Sequence, residues 1–352
     1  MANPPTIGVV AGDWSTNIGN SFFDLGAVEV LARLYPEARV LHVPDSPSYA
    51  GVNKSKPSNS EWLIDRLELD AVVILGPLIR PEFTDALLPT LQRLAARKVR
   101  LGALGIGMMK YSHGDFGKAI DGLASLPFSF FATRDEDTAK ATGGKISCRV
   151  YSGIDLGFYM NDVYPAPKVL ESEPYIALNF DVTPEPAFLE ADSSSAQFEF
   201  EGKGYRLKFP EWRTKKCHSS VLYSLFDRAF MPQNVVDRVM GYQVLRSDHR
   251  FNPIIRRKVF CRPHTVSADQ PWGYLSLYRS CLATFSNRVH ACVVTLAYGN
   301  QAMLFSGTPR AKLLEKVGLG DITSKPVSLA PDRLLEEKAG LEEYLRKTRF
   351  DF

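Results

Sequence analysis

The chain has 352 residues, 45% hydrophobic and 23% charged, a composition that suits a soluble globular protein of two domains. A net charge of +3 is too small to argue for nucleic acid or a membrane surface as partners. The five cysteines, at 148, 217, 261, 281 and 292, contain no Cys-x-x-Cys pair, so neither a disulfide framework nor a zinc site is suggested, and a reducing compartment is expected.

Met1 to Thr6 has no basic and no long apolar region, so no signal peptide is expected. Ile7–Ala11 reads as a strand. From Asn20 to Leu34, Phe23, Ala27, Val30, Leu31 and Leu34 share one helix face. Arg39–Val43 follows as a strand and Trp62–Leu67 as a short helix. Asp70–Leu75 is the strongest strand pattern in the chain, its apolar run Ala71–Leu75 is too short to span a bilayer, and no transmembrane segment is expected. Leu87–Arg97 is amphipathic. Val99–Leu104, Phe128–Ala132 and Arg149–Ser152 continue the strand rhythm. Strands alternating with helices at this spacing predict parallel βαβ units, an α/β fold.

The prolines of Pro165-Ala166-Pro167 and Pro174 break this rhythm, placing a first domain at 1–168 and a second at 174–330. Tyr175–Phe180 restarts as a strand. Gln197–Glu201 and Tyr205–Phe209 alternate apolar and polar residues around Gly202-Lys203-Gly204, which predicts a β-hairpin insertion, as a structural cover or as a lid. Asn234–Leu245 is expected to be a helix. Arg257–Cys261, Cys281–Phe285 and Ala302–Phe305 are the later strands, and 331–352 carries a last, charged helix.

Ligands of doubly wound sheets collect beyond the C-terminal strand ends. After Cys281–Phe285 comes Ser286-Asn287-Arg288-Val289-His290-Ala291, with Val289, Val293, Leu296 and Ala297 at helical spacing and Gly299 closing the helix. Asn287 is the expected N-cap, with Arg288 and His290 in the first turn. Free N–H groups, a guanidinium and an imidazole there make a candidate anion site. A surface arginine and a core histidine are the competing structural reading. Arg262 and His264 leave another strand end together, and Arg310 and Lys312 follow a third. Three basic clusters at neighbouring strand ends repel one another unless an anionic ligand offsets them. The loop Gly12–Ser21 offers backbone N–H groups and the amides of Asn17 and Asn20, or is a plain βα turn. Small residues at Gly105-Ile106-Gly107 would let a ligand approach the backbone, and His113 beyond them is a further catalytic candidate or a simple loop histidine. Thr133–Thr138 reads as a mainly structural helix cap, and Asp155 as an Asx turn rather than a base.

At these residues the chain resembles the polysaccharide pyruvyltransferase family. The matching blocks are Arg288-Val289-His290-Ala291 with Gly299-Asn300-Gln301 and Pro309-Arg310, then Asn17-Ile18-Gly19-Asn20, Gly105-Ile106-Gly107, Thr133-Arg134-Asp135 and Asp155. Asn20, Gln301 and Arg310 depart from the family's usual Asp, Pro and Lys. The resemblance implies two Rossmann-like domains in a GT-B-like pair, with the last helix packing back across their junction. It implies transfer of a pyruvyl group from phosphoenolpyruvate to a sugar as a ketal, on an exopolysaccharide, a cell-surface glycan or a lipid-linked precursor. No metal and no cofactor is expected. His290, Arg288 and His113 would be catalytic, with His290 acting as acid or base. Arg262, His264, Arg310, Lys312, Asn17, Asn20 and Asn287 would bind substrate. The expected place is the cytoplasm, at most peripheral to the inner face of the membrane. A GT-B glycosyltransferase using a nucleotide sugar and a non-catalytic glycan-binding relative are the alternatives.

Overall fold

Thr6–Ala11 (β1) is buried along its whole length, as a strand with neighbours on both sides and covered faces must be. In a computed structural model of the chain, Val9 pairs with His42 of Arg39–Pro44 (β2) on one side and Val73 of Ala71–Leu75 (β3) on the other. Arg100–Ile106 (β4), Phe128–Thr133 (β5) and Val150–Ser152 (β6) extend this parallel sheet in the order β2-β1-β3-β4-β5-β6. The order reverses between β1 and β3, which opens a crevice at their C-terminal ends. The residues described are 3–12, 14, 17–44, 63–80, 87–108, 116–170, 173–181, 185–209, 236–249, 260, 263–305 and 309–352.

A second sheet is built from Tyr175–Asn179 (β7), Ala187–Ala191 (β8) to Lys203–Lys208 (β10) being set apart from it. Its order is β11-β12-β7-β14-β15, from Arg238–Val239 (β11), Tyr242–Ser247 (β12), Ala283–Ser286 (β14) and Gln301–Leu304 (β15). Thr265–Val266 (β13) pairs with β12. All pairs but β11–β12 are parallel, and the second reversal falls between β7 and β14. The chain is thus an α/β protein with two parallel sheets. Among the described residues no helix is long and apolar enough to cross a membrane.

Leu88–Ala96 (α2) and Gly117–Ala124 (α3) cover one face of the first sheet, packing Leu91, Leu94, Ile120 and Leu123 with Val72, Leu101 and Phe131. The other face lies under Gly19–Leu34 (α1). There the apolar cluster runs on through Leu156 and Phe158 to Val293 and Leu296 of the second sheet's helix, and to Leu341 and Leu345 of the last one. That last helix, Pro331–Thr348, returns to the first sheet: Tyr344 Oη accepts from Phe131 N (3.0 Å) and donates to Arg149 O (2.6 Å).

Phe198–Phe200 (β9) and β10 form the expected antiparallel hairpin, and β8, which the sequence did not suggest, pairs with β10 as a third strand. The hairpin's turn is Glu201-Gly202, both left-handed (φ +49° and +74°), one residue before the glycine pair suggested. Phe188, Phe198 and Phe200 lie 5.4–6.0 Å from Phe285, ring to ring, so this small sheet is packed as a cover on the second sheet. In its described part, from Val236 onward, the helix expected over Asn234–Leu245 is instead the β11–β12 hairpin. Met240 and Gly241 are left-handed (φ +54° and +84°), which closes a two-residue hairpin loop, and Val244 and Leu245 then pair with β7. Arg257–Lys258–Val259 and Cys261, expected as a strand, lie outside the described residues.

Gly26 is where α1 meets the turn after β6 most closely: a Cβ there would sit 2.0 Å from the Leu156 carbonyl oxygen. Gly26→Ala should therefore destabilise the fold by about 1–3 kcal/mol through overpacking, although alanine favours helix by about 1 kcal/mol. Thermal denaturation checks this, and an unchanged or raised melting temperature would contradict so tight a contact.

Candidate active site

Both sheet reversals point their strand ends at one cleft. The first sheet contributes Val10 near the end of β1 and Gly12 after it, Leu75 at the end of β3 and Leu78 after it, and the arginines Arg80 and Arg134 after β3 and β5. From the second sheet come His290 after β14 and Arg310 after β15. The first turns of α1 add Asn17, Asn20 and Asp24. Asn17 Nδ2 donates to Asn20 Oδ1 (2.9 Å), and Trp14 Nε1 donates to Asp24 Oδ2 (2.6 Å).

The residue behind this wall is Asp155, which is 1% exposed. Its Oδ1 accepts from Gly157 N (2.9 Å), the Asx turn expected from the sequence, and so starts the short helix Leu156–Tyr159. Its Oδ2 has another task, lying 3.3 Å from Arg134 Nη1 and 3.5 Å from His290 Nε2. Burial alone would raise the carboxyl, but His290 and then Arg134 hold it down at about 2. His290 moves the opposite way: burial pushes the imidazole below its ordinary value, against the pull of Asp155, and Arg134 and Arg310 add to the lowering. An ionised carboxylate therefore faces a neutral histidine in the empty cleft. At 3.5 Å, Nε2 falls short of a hydrogen bond and has no other partner.

Arg134 reaches this position because residue 107 is glycine. A Cβ at Gly107 would lie 2.5 Å from Arg134 Nε. The small residues after β4 thus make room for a guanidinium of the protein's own. The adjacent Asp135 does cap a helix, Glu136–Thr142, through its bond from Thr138 N (2.7 Å).

The helix carrying His290 starts one residue later than its sequence suggests. Arg288, extended at φ −113° and ψ 120°, is the N-cap of Val289–Ala297, and Asn287 N donates to Asn179 O (3.0 Å). Arg288 Nε donates to Asp181 Oδ1 (2.6 Å), so its charge is matched by an acid of the same chain, and it is not among the cleft's lining residues. Lys312 is half exposed and pairs with Asp137. His264 is exposed and left-handed (φ +60°), and its carbonyl accepts from Arg246 N (2.9 Å). Neither lines the cleft. His113 and Arg262 lie outside the described residues. Of the residues picked from the sequence, His290, Arg310, Asn17 and Asn20 meet in the cleft. Arg80, Asp24 and the burial of Arg134 were missed. The signal available was the one already applied to the second half: a cation directly after an apolar strand, as in Leu78-Ile79-Arg80 and Ala132-Thr133-Arg134.

Asp181 also accepts from His249 N (3.1 Å), and His249 Nε2 bonds Tyr278 Oη at 2.5 Å. Burial drives the His249 imidazole down to about 3. A histidine with a depressed folded pKa stabilises the fold while both states are neutral, and that stability is lost as pH falls below the unfolded value near 6.5. Between pH 7.5 and 5.5 His249 alone should cost on the order of 1 kcal/mol, and His290 and His42, lowered by burial too, act in the same direction. Melting temperatures at the two pH values test this; a flat response would show that the imidazoles protonate within the folded protein.

Similarity to known proteins agrees with this arrangement. In fold, the chain is similar to Staphylococcus aureus MnaA, solved with UDP (TM-score 0.52, 10% identity, covering 98% of this chain and 90% of that one). It is similar also to a Listeria monocytogenes protein described as a UDP-N-acetylglucosamine 2-epimerase (TM-score 0.51, 8% identity, 98% and 91% covered). At such identities the likeness is one of fold, that of two Rossmann-like domains in a GT-B-like pair. No curated protein matches the sequence. The family model for polysaccharide pyruvyl transferase matches residues 17–307, a span that holds every described cleft residue named above except Val10, Gly12 and Arg310, and the chain belongs to that family.

Proposed function

We propose that this cleft binds phosphoenolpyruvate and transfers its pyruvyl group to two hydroxyls of one sugar in a glycan or lipid-linked precursor. The observation that carries the reading is the meeting of Arg134, His290 and Arg310 in one cleft, with a buried carboxylate, Asp155, behind the first two. The donor has a carboxylate and a phosphate, and arginine's planar fork pairs with both. The lobes of this reading are residues 1–168 and 174–330, with 331–352 returning to the first.

The balance of the reaction sets what His290 has to do. The donor's methylene carbon gains one proton and becomes a methyl group. Its central carbon gains two bonds to sugar oxygens and loses phosphate. The two hydroxyls release two protons, one matching the methyl and one leaving with the phosphate. His290 is neutral in the empty cleft, and a bound dianion raises its affinity for a proton, with Asp155 as counter-ion behind it. In this reading His290 takes up a proton as the donor arrives and delivers it to the methylene carbon. Arg134 and Arg310 hold the donor, and Asn17, Asn20 and Asp24 offer acceptors and donors to sugar hydroxyls.

Calorimetry of phosphoenolpyruvate binding at pH 7, in buffers of differing ionisation enthalpy, should show proton uptake that disappears in His290→Gln. Binding without uptake would make His290 a base instead. His290→Gln should lower phosphate release with a glycan acceptor by about 10²–10⁴-fold, while phosphoenolpyruvate affinity stays within about tenfold. If a UDP-sugar raises the melting temperature and phosphoenolpyruvate does not, the nucleotide-sugar alternative replaces this reading.

Asp155→Asn offers an independent check. It removes the charge that both Arg134 and His290 face, so the histidine's pKa should fall further and the alkaline limb of the phosphate-release profile, where His290 loses the proton it must deliver, should move to lower pH. An unmoved profile would show that Asp155 serves only to start the Leu156–Tyr159 turn.

A further inference from the structure

One cation of the cleft stands apart from the others. Arg80 follows β3 at the first sheet's reversal point and lines the cleft, and its Nε is buried with no hydrogen-bond partner. Among the described residues no ion pair includes it, whereas Arg134 shares Asp155 with His290. Its backbone is well anchored. Ile79, fully buried, bridges to Met108, and Ile79 N donates to Gly107 O (3.3 Å). A guanidinium with a buried, unsatisfied N–H is unfavourable for the empty protein, and such a group is what an incoming oxyanion would satisfy side-on through Nε and one Nη.

We propose that Arg80 binds the phosphate of the donor, leaving its carboxylate to the Arg134 side. The argument is one of charge matching and rests on the phosphoenolpyruvate reading. A carboxylate carries one negative charge and suits Arg134, whose own charge is partly offset by Asp155. A phosphate dianion needs positive charge that no ion pair among the described residues already offsets, and Arg80 supplies it. Phosphate would then be seated by the first lobe, beside the β1–β3 crevice, with the methylene carbon turned toward His290.

The test uses the full chain, Arg80→Gln and Arg80→Lys, titrated with phosphoenolpyruvate, inorganic phosphate and pyruvate at constant ionic strength, with binding followed by calorimetry and thermal shift. In Arg80→Gln, phosphate and phosphoenolpyruvate should weaken by about 10- to 100-fold and pyruvate by no more than about twofold, with Arg80→Lys intermediate because the fork is lost but the charge kept. Without ligand, the melting temperature of Arg80→Gln should equal or exceed that of the parent, because an unsatisfied buried group has been removed. Phosphate binding unchanged in Arg80→Gln, or pyruvate lost in equal measure, overturns the assignment. So does a lowered melting temperature of the free variant coupled with unchanged phosphate affinity, which would make Arg80 structural. Failure of the parent chain to bind phosphoenolpyruvate while it binds phosphate in an Arg80-dependent way overturns the donor reading and leaves an anion site. Failure to bind either overturns both.

Discussion

The site depends on the burial of one carboxylate. Asp155 is shut away from water, yet it stays ionised because His290 and Arg134 lie within 3.5 Å of one of its oxygens while Gly157 N satisfies the other. A buried charge is tolerated only when paired and hydrogen-bonded in this way. The consequence is mutual. Asp155 gives Arg134 a reason to be buried, and it opposes the desolvation that pushes His290 toward neutrality. It also joins the two sheets, since Arg134 follows β5 and His290 follows β14. Removing it would leave the buried Arg134 guanidinium without its counter-ion, beside a neutral imidazole.

Much of the fold is legible in the sequence because it is written in local patterns. The apolar run Ala71–Leu75 and the Val289, Val293 and Leu296 spacing each carry their own period, and both elements form where the pattern puts them. The β11–β12 hairpin defeats that approach. Its hand is set by left-handed backbone at Met240 and Gly241 and its strand character by pairing with β7, 68 residues earlier, so no local window contains the whole cause. The site is harder for the same reason. Arg288 has the residue type of an anion clamp, but Asp181, 107 positions away, takes that charge. A capped, mainly structural helix is correctly read at Thr133–Thr138, and that sound local explanation conceals Arg134, which turns the other way and becomes part of the cleft.

Glycine shows the same limit. Flexible loops and close ligand approach are the usual reasons to expect it after a strand. At Gly107 the approaching group is the protein's own guanidinium, and at Gly26 it is the Leu156 carbonyl. Both glycines serve the same centre, one by letting Arg134 in and the other by letting α1 close over the turn that Asp155 begins. The sequence marks the positions; the identity of the close neighbour comes only from the tertiary arrangement.

The placement of the cleft also explains how residues from two sheets hold a constant spacing. Behind it, α1, the Leu156–Tyr159 turn and the helix Val289–Ala297 share one apolar cluster. Beside it, Ile18 N donates to His249 O (2.9 Å), tying the start of α1 to the second sheet. Protein interiors pack densely and resist small displacements. Groups mounted on the rim of a common core therefore move little relative to one another, even though they belong to different sheets. Arg134, His290 and Asp24 are set on that rim, and electrostatic work on a bound anion is most effective where the charges are held in place before the ligand arrives. The polar residues of the cleft and the apolar residues behind it are thus one arrangement: the core holds the spacing, and the spacing gives the charges their effect.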